Sequence, residues 1–291
     1  MLRASVIIPT YNDWKNLAIC LDHLGQQTIQ STEFEVIVAN NNPDQPIPDK
    51  IAKCRNVRII PAPVPGSYAA RNAGISQATA PYLFFVDADC RPAPDWLSQG
   101  LKLFANAENH QRIAGEVEVF PASGRWNGWG LQDSIFNLSQ KAYSERGFAA
   151  TANLAVERSV LDEVGAFLET SFSGEDKEWN KRATKAGIPL VYSEQMKVAH
   201  PARESFAECA KKRRRLAGAR FVAKANRPIA RRLPRLHYLL PSPTACWAIL
   251  MSSESAPLRT RISAMWCHYV LGWVHNLEIL RLGFFGRVPE R

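Results

Sequence analysis

Two carboxylates two residues apart, Asp87 and Asp89, carry the clearest chemical signal in this sequence. They follow Tyr82 to Val86, a short apolar run flanked by Pro81 and Pro92, which is typical of a strand buried on both faces. Alternate residues of an extended strand point the same way, so the two carboxylates are expected to converge at its carboxyl end. Ligands bind at that edge of an open α/β sheet, and two acidic oxygens suit a divalent cation that carries a diphosphate. A surface turn that closes the strand is the alternative.

The chain before this pair alternates between strand and helix patterns. Apolar runs of strand type cover Ala4–Pro9, Phe34–Ala39 and Val57–Ile60. Trp14–Gln27 carries apolar residues at helical spacing. Tyr68–Gln77 follows a turn signal and has a helix pattern. The alternation predicts right-handed βαβ units and a parallel sheet. Polar clusters follow the first, second and fourth strands at one edge, where a nucleotide would lie.

Several classes of protein are disfavoured. No glycine-rich dinucleotide fingerprint follows the first strand and no P-loop occurs, which argues against a NAD-dependent enzyme and a P-loop NTPase. The N-terminus enters a strand directly, so no signal peptide is expected. The cysteines show neither a C-x-x-C pair nor zinc spacing, and we expect reduced thiols in a cytosolic protein. They are Cys20, Cys54, Cys90, Cys209, Cys246 and Cys267.

The net charge of +9 is concentrated in the last third of the chain. Residues 201–291 contain 17 Lys and Arg against 5 Asp and Glu, whereas residues 1–200 contain 19 against 22. The length predicts one large α/β domain with an extension, or two small domains. The basic segment is therefore expected to be an interaction feature beside a nearly neutral domain.

The order of the motifs resembles that of the family 2 glycosyltransferases, which have the GT-A fold. The nucleotide-sugar half is represented by SVIIPTYND, VIVANNN, PGSYAARNAGI and YLFFVDADC. The acceptor side is represented by ATANLAVERSVLDEVGAFLE, SFSGEDKEWNKRATKAG and MKVAHPAR. The resemblance covers residues 4–203 and implies an α/β fold with a mostly parallel nucleotide-binding sheet and flanking helices. It implies a GT-A catalytic domain at 1–203, divided into a nucleotide-sugar half at 1–115 and an acceptor half at 116–203.

For the metal site, the resemblance implies Asp89 as a ligand of Mg²⁺ or Mn²⁺, with Asp87 near the ribose or the metal. His200 is the implied second contributor, as a metal ligand or a diphosphate contact. The residues alone favour a buried histidine satisfied by backbone groups at position 200, and the resemblance reverses that preference. Such an ion would be held by few protein carboxylates and mostly by the diphosphate.

For the general base, the resemblance implies Asp176, with Glu175 as an alternative or as a partner that orients the acceptor. Both precede a helix predicted over 177–186, so they should sit in its first turn, where the helix dipole favours the ionised form. The residues alone also allow two ordinary first-turn acids without a catalytic role. A base acting directly on the acceptor implies single displacement and therefore inversion at the anomeric carbon.

For the nucleotide, the resemblance implies Pro9, Thr10 and Tyr11 around the base and ribose, and Arg71 near the base or diphosphate. Asn40 departs from the family, which has an Asp that recognises the uracil imide N–H. An Asn carbonyl can accept the same hydrogen bond, but its amide could serve a different base edge. UDP is the expected nucleotide.

The acceptor side is expected within residues 115–153. Trp126, Trp129 and Phe136 could line a sugar or lipid groove there, although aromatic residues at such spacing more often form a core.

Residues 204–291 are expected to form a basic, amphipathic helical extension that lies on an anionic membrane surface. The stretch 262–285 is too polar for a membrane span, so an in-plane or docked helix is expected. A solvated basic face with a C-terminal helix packed on the catalytic domain is the alternative, and no nucleic-acid-binding module accompanies the charge. The residues concerned are Lys211, Lys212, Arg213, Arg214, Arg215, Arg220, Lys224, Arg227, Arg231, Arg232 and Arg235, around Leu216, Phe221, Ile229 and Leu233.

Together these features predict a metal-dependent, inverting glycosyltransferase of polysaccharide biosynthesis that uses a nucleotide-sugar donor, expected to be UDP-linked. The acceptor would be a saccharide or a polyprenyl-linked saccharide, and the protein would be peripheral at the cytoplasmic, inner face of the cell membrane. One alternative is a nucleotidyltransferase, but the first strand lacks the glycine-rich, Arg/Lys-bearing loop that holds a triphosphate. Another is a catalytically weak subunit that binds nucleotide sugars or acts as a scaffold at the membrane.

Overall fold

The computed structural model describes residues 1–52, 54, 56–107, 110–171, 173–223 and 233–285, and these fall into two compact units. Unit 1 comprises the described residues of Met1–Glu118, Ser139–Ser171 and Glu175–His200. Unit 2 comprises those of Val119–Leu138, Phe172–Gly174 and Pro201–Arg291. A catalytic domain at 1–203 with a separate extension at 204–291 stays a prediction.

Within the described chain, eight strands form one sheet in the order β3-β2-β1-β4-β7-β6-β8-β5. The strands are β1 (Ala4–Thr10), β2 (Phe34–Asn40), β3 (Val57–Pro61), β4 (Tyr82–Val86), β5 (Arg91–Pro92), β6 (Arg112–Phe120), β7 (Asn153–Glu157) and β8 (Leu190–Pro201). The helices are α1 (Trp14–Leu24), α2 (Asp49–Ala52), α3 (Ser67–Gln77), α4 (Trp96–Ala105), α5 (Gly128–Phe136), α6 (Gln140–Ser144), α7 (Arg158–Val164), α8 (Glu175–Lys185), α9 (Phe206–Ala223), α10 (Pro243–Leu250) and α11 (Leu258–Phe284), with a 3-10 turn at Leu236–Tyr238.

The sheet is mixed. β1 pairs in parallel with β2 and β4, and β2 pairs in parallel with β3, so the predicted βαβ units account for four neighbouring strands. β4 pairs antiparallel with β7, as β7 does with β6. The α/β fold with flanking helices is confirmed, and its parallel part is the half that precedes the acidic pair.

The first elements lie close to their predicted ranges. β4 spans Tyr82–Val86 as predicted, and it is buried at every position except Tyr82, which is half-buried. α1 ends at Leu24, three residues before the predicted end at Gln27. α8 begins at Glu175 rather than Lys177, which confirms that both acids belong to its first turn.

α3 lies directly against β1 because Gly74 has no side chain. A Cβ on Gly74 would lie 2.5 Å from Cγ2 of Ile7, which is itself fully buried, so a larger residue would displace the helix. Arg71 lies one helical turn before Gly74. The close approach of helix and strand therefore fixes the position of Arg71 in unit 1.

Unit 2 is helical around α5, α9 and α11. A Cβ on Gly128 would lie 2.3 Å from Oγ of Ser263, so α5 and α11 are in close contact. Leu131, Ile249 and Ala264 form the buried apolar cluster that joins α5, α10 and α11. Across the described residues, no helix combines the length and the apolar character that a bilayer crossing requires. The predicted basic-segment residues Lys224, Arg227, Ile229, Arg231 and Arg232 lie outside the described residues.

Candidate active site

The parallel strands of unit 1 end at a common edge, where the polar residues of the first motifs lie. Thr10 and Asn40 are register partners at the ends of β1 and β2. The backbone N–H of Asn41 donates to the carbonyl of Thr10 at 2.8 Å, which holds the two strand ends together. Asp87 follows the last residue of β4 directly.

Asp87 and Asp89 lie in a turn beyond β4, and not on an extended strand. The N–H of Cys90 donates to the carbonyl of Asp87 at 3.1 Å, which closes this turn. The two carboxylates therefore face different partners: Asp87 Oδ1 is 2.5 Å from Arg71 Nη2, and Asp89 Oδ2 is 3.4 Å from His200 Nε2. Strand alternation therefore does not set their directions, because the chain turns immediately after Val86.

Arg71 is a buried cation beside two carboxylates. Its side chain is 5 % exposed, and its guanidinium lies 5.6 Å from the ring centroid of Tyr68. Burial acts to lower the pKa of Arg71, but the charges of Asp87 and Asp176 outweigh it and raise the pKa. Arg71 therefore stays charged, and it links the carboxylate after β4 electrostatically to the one on α8.

Asp176 accepts a hydrogen bond from the hydroxyl of Thr151 at 3.1 Å. Burial raises the pKa of the Asp176 carboxyl, and the charge of Asp87 raises it further. Arg71 and the hydroxyls of Thr151 and Tyr68 act in the opposite direction. The position in the first turn of α8 had suggested a carboxyl that ionises easily. Burial and the neighbouring carboxylate reverse that expectation, so Asp176 has the raised pKa typical of functional carboxyls.

Glu175 has different surroundings from those of Asp176. It is 2 % exposed, and its Oε1 accepts hydrogen bonds from Arg182 Nη1 and from the N–H of Leu168, each at 2.9 Å. Leu168 lies between α7 and α8, and Arg182 lies on α8 itself. Glu175 is therefore held by a guanidinium and a backbone N–H, whereas Asp176 interacts with the hydroxyls of Thr151 and Tyr68.

Asp89, Cys90 and His200 form a group of metal-ligand type. One ligand atom from each of the three lies within 4.8 Å of the others. Burial raises the pKa of the Cys90 thiol well above its usual range, as do the charges of Asp89 and Asp87. A thiolate is a soft ligand, whereas Mg²⁺ and Mn²⁺ favour carboxylate oxygens. A carboxylate oxygen of Asp89 and an imidazole nitrogen of His200 remain as the donor pair.

The nucleotide-binding residues of the prediction lie at the ends of β1 and β2. Thr10 is 3 % exposed, and its hydroxyl is buried without a hydrogen-bond partner, as expected of a group that awaits a polar ligand. Asn40 is also buried, and its side-chain oxygen accepts the N–H of Asn42 at 3.0 Å. Tyr11 is 66 % exposed, and Pro9 is half-buried.

Two site residues were missed from the sequence, although each lies in a recognised motif. Tyr68 is three residues before Arg71 on α3, so helical spacing alone could have placed the two on one face. Thr151 lies just before β7, in the segment assigned to the acceptor side. Its proximity to Asp176 depends on the packing of α8 against the sheet, for which the sequence offers no local signal.

The three aromatic residues of the predicted acceptor groove belong to unit 2. Trp126 and Phe136 pack against the cluster around Leu131, and the ring of Phe136 lies 4.3 Å from that of His268. The ring of Trp129 lies 5.4 Å from that of Phe206. These contacts favour a packing role, and the groove stays a prediction.

Comparisons with known proteins identify the family of this chain. The model of the family described as glycosyl transferase family 2 matches residues 5–165. Glycosyltransferase AglE of Haloferax volcanii is 37% identical over 220 residues, which cover 73% of this chain and 71% of AglE.

Solved structures also match over nearly the whole chain. Mannosyltransferase PcManGT from Pyrobaculum calidifontis, in complex with GDP-Man and Mn²⁺, has a TM-score of 0.59 at 17% identity and covers 94% of this chain and 87% of its own. S. aureus TarS 1-349 in complex with UDP-GlcNAc has a TM-score of 0.55 at 18% identity. That match covers 97% of this chain and 90% of the TarS chain. At these identities the two structures establish the fold alone. The resemblance drawn from the motifs is thereby confirmed: the chain belongs to glycosyl transferase family 2 and has the GT-A fold.

Proposed function

We propose that the chain is a metal-dependent, inverting glycosyltransferase that moves a sugar from a nucleotide sugar to a saccharide or lipid-linked saccharide in polysaccharide biosynthesis. The observation that carries this proposal is the set of contacts at one edge of the sheet. There Arg71 pairs with Asp87 and lies within electrostatic reach of Asp176, while Asp89 pairs with His200. Glycosyl transfer needs this combination, because a diphosphate must be neutralised and a hydroxyl deprotonated close to each other.

Asp176 is the proposed general base. A base that works near neutral pH gains from a pKa above that of an ordinary carboxyl, and burial supplies that shift here. Its oxygens would take the proton of the acceptor hydroxyl as that oxygen attacks the anomeric carbon. The carbon–oxygen bond to the diphosphate breaks in the same displacement, so the configuration inverts. Glu175 is the proposed positioning partner, since it fixes the start of α8 through Arg182 and Leu168.

Asp89 and His200 are the proposed metal-binding residues. Their donor atoms lie close enough to share one ion, and a two-residue set leaves coordination positions for a diphosphate. An imidazole nitrogen suits a transition-metal ion such as Mn²⁺ better than Mg²⁺, which prefers oxygen ligands. When bound, the ion would neutralise the charge that develops on the leaving diphosphate.

Pro9, Thr10, Tyr11, Asn40, Arg71 and Asp87 are the proposed donor-binding residues, with UDP as the nucleotide. The unpartnered hydroxyl of Thr10 supports a polar ligand at the end of β1. The carbonyl of Asn40 already accepts one hydrogen bond but has a second lone pair, which could accept the imide N–H of uracil. Among the similar structures, TarS is in complex with UDP-GlcNAc and PcManGT with GDP-Man, so both bases belong in the test.

α11 supports peripheral binding at the cytoplasmic face of a membrane. Its exposed apolar residues recur at spacings of four and seven, which puts them on one helix face. Tryptophan favours the membrane interface, and basic residues favour the anionic leaflet. The exposed residues are Leu258, Ile262, Trp266, Trp273, Leu277 and Phe284.

The reaction is tested by incubating the protein with UDP- and GDP-sugars and Mn²⁺ while proton NMR follows the anomeric signals. We expect one donor to be consumed and its sugar to appear first with the opposite anomeric configuration, on an added saccharide or on water. Retention of configuration would contradict a single displacement by Asp176. Binding of a donor without consumption under any condition would instead favour a nucleotide-sugar-binding subunit.

Membrane binding is tested by sedimentation with vesicles of phosphatidylcholine, with and without phosphatidylglycerol. We expect binding to the anionic vesicles that high salt weakens and that a Trp266→Ser, Trp273→Ser double variant loses. Equal sedimentation of the variant would mean that the exposed face of α11 does not meet the membrane.

A further inference from the structure

Unit 2 contains a cavity of about 240 Å³ between α5, α9 and α11. One side is apolar and aromatic, with Phe136, Leu216 and Leu271 in the wall. The other side is cationic, with Lys212 and Arg213 from α9. Small-molecule pockets usually have volumes above about 300 Å³, so the space fits a group smaller than a nucleotide.

The positive charge at this cavity exceeds the negative charge. Asp133 is the lining carboxylate, and it already has two cationic partners: Arg203 Nη1 at 3.2 Å and Lys212 Nζ at 3.5 Å. It also accepts a hydrogen bond from Asn137 at 2.8 Å. The single charge of Asp133 is therefore shared between Arg203 and Lys212, and Arg213 adds a third positive charge.

Arg213 and its neighbour Arg235 contact neutral groups in the described chain. Arg213 Nε donates to the carbonyl of Leu271 at 3.2 Å, and Arg235 Nη1 donates to the hydroxyl of Tyr238 at 2.7 Å. Both guanidinium groups lie 5.4 Å from the centroid of the Tyr238 ring, so one phenol lies between two cations. The charge of Arg235 disfavours the charged form of Arg213, and a bound anion would offset this repulsion.

The pKa values respond to this excess. Burial and the charge of Arg203 lower the pKa of Lys212 to about 8, although Asp133 acts against them. Burial lowers the pKa of Arg213, and the charge of Arg235 adds to that effect. The charged forms of Lys212 and Arg213 are therefore both destabilised in the folded protein.

A polar group without a partner also lines the cavity. The side-chain oxygen of Gln132 is buried and has no hydrogen-bond partner among the residues that the structure describes, and Gln132 as a whole is 3 % exposed. A buried amide oxygen without a donor costs free energy, so it marks a position where a ligand hydroxyl would bind favourably. The cavity thus combines two cations, one free acceptor and an apolar wall.

We propose that this cavity binds the phosphate or diphosphate group of a phosphorylated ligand, with Lys212 and Arg213 as its cationic contacts and Gln132 as a hydrogen-bond acceptor. Phosphate oxygens accept charge-assisted hydrogen bonds from both cations, and a protonated phosphate oxygen or ligand hydroxyl donates to Gln132. The apolar wall accommodates the carbon body next to the phosphate. The proposal does not depend on the donor site or on the reaction of unit 1.

The test is calorimetric titration of the full chain in EDTA, without nucleotide sugar, with inorganic pyrophosphate and separately with farnesyl phosphate. We expect binding that Lys212→Met or Arg213→Gln weakens by roughly 10- to 100-fold, as for the loss of one charge-assisted hydrogen bond. Lys211→Met is the matched control, because Lys211 is exposed and does not line the cavity. Asp89→Ala keeps full binding if the donor site is not involved.

The two probes distinguish the sources of the phosphate. Farnesyl phosphate that binds at least tenfold more tightly than pyrophosphate supports a lipid phosphate, and the reverse order supports a soluble phosphate compound. Equal weakening by Lys211→Met and Lys212→Met would overturn the proposal in favour of a nonspecific basic surface. Loss of binding in Asp89→Ala, or no binding of either probe, would overturn it as well.

A second measurement uses the unaltered protein and so avoids any folding defect of the variants. Acetylation of lysines by a small anhydride is mapped by mass spectrometry at pH 8, with and without the probes. We expect bound phosphate to slow modification of Lys212 by about tenfold, in line with the occupancy reached, and to leave Lys211 unchanged. An unchanged rate at Lys212 with saturating probe would contradict the site.

Discussion

The sheet edge of unit 1 and the cavity of unit 2 differ in the partners of their cations. At the sheet edge of unit 1 the buried cation Arg71 pairs with Asp87, and the charge of Asp176 also favours its charged form. In unit 2 the cavity is lined by Lys212 and Arg213 against one carboxylate, Asp133, and Arg213 contacts a carbonyl and an aromatic ring. An acidic edge is suited to a metal ion and to proton transfer, whereas a cationic cavity is suited to an anion.

Burial shifts the pKa values of acidic and basic residues in opposite directions. In unit 1 burial raises the pKa of Asp176, so the proton is held more tightly. In unit 2 burial lowers the pKa of Lys212 to about 8 and that of His275 to about 3, so protons are held less tightly. Burial disfavours the charged form in every case, and the type of residue decides which way the pKa moves. The pKa shifts of Asp176 and His275 can therefore be tested separately, one in each unit.

The largest effect is expected for Asp176→Asn, which keeps the shape of the side chain but cannot accept the proton. We expect kcat to fall by about 10²- to 10⁴-fold with little change in donor affinity, as for the loss of a general base. Steady-state kinetics with the productive donor, together with calorimetric binding, would measure both. Glu178→Gln is the matched control, because Glu178 is an exposed acid of the same helical turn, paired with Lys181. Equal losses in the two variants would remove Asp176 from the chemistry.

A smaller effect is expected for Arg71→Gln. Asp176 must be ionised to act as a base, so activity should rise as pH increases through its raised pKa. Removing the charge of Arg71 takes away an interaction that lowers this pKa, so the rising limb of the pH profile should move to higher pH. The measurement is kcat against pH for the wild type and the variant. A limb that stays in place, or moves to lower pH, would show that Arg71 does not control Asp176.

The smallest effect concerns the stability of unit 2. His275 is 3 % exposed, and burial together with Arg235 and other arginines lowers its pKa to about 3. The unfolded chain binds a proton at an ordinary histidine pKa of about 6.5, so it takes up more protons than the folded chain between pH 6.5 and 3. Stability should therefore be complete above pH 6.5 and fall as pH decreases, by up to about 1.4 kcal/mol per pH unit.

Urea unfolding at pH 7, 6 and 5 measures this loss for the wild type and for His275→Gln. The variant should be less sensitive to acid, whereas His237→Gln should behave as the wild type, because His237 is exposed in the same unit. The same pH dependence in all three proteins would show that the cations around His275 do not set its pKa.

The local elements of unit 1 could be predicted from the sequence because their patterns are short-range. The apolar run of β4 and the motif that carries Arg71 both appear where they were expected. The directions of Asp87 and Asp89 could not be predicted by strand alternation, because a backbone hydrogen bond from Cys90 turns the chain at the first of them.

The environment of each site residue depends on packing, which the sequence does not display. Asp176 and Glu175 are neighbours in one motif, yet one accepts a hydroxyl and the other an arginine and a backbone N–H. The side of the helix on which each lies decides this difference. In unit 2 the charge count predicted an interaction feature, but the cavity arises only from the packing of α5, α9 and α11.

The central claim is that the acidic edge of unit 1 carries metal-dependent sugar transfer. The most direct test is a nucleotide-release assay with UDP- and GDP-sugars, with and without Mn²⁺ or Mg²⁺, that compares the wild type with Asp89→Ala. We predict that the wild type releases one nucleotide only when metal is present and that Asp89→Ala reduces this release at least about a hundredfold. Asp44→Ala, at an exposed acid of the same unit, should match the wild type. Release that needs no metal, or that Asp89→Ala leaves unchanged, would contradict the claim.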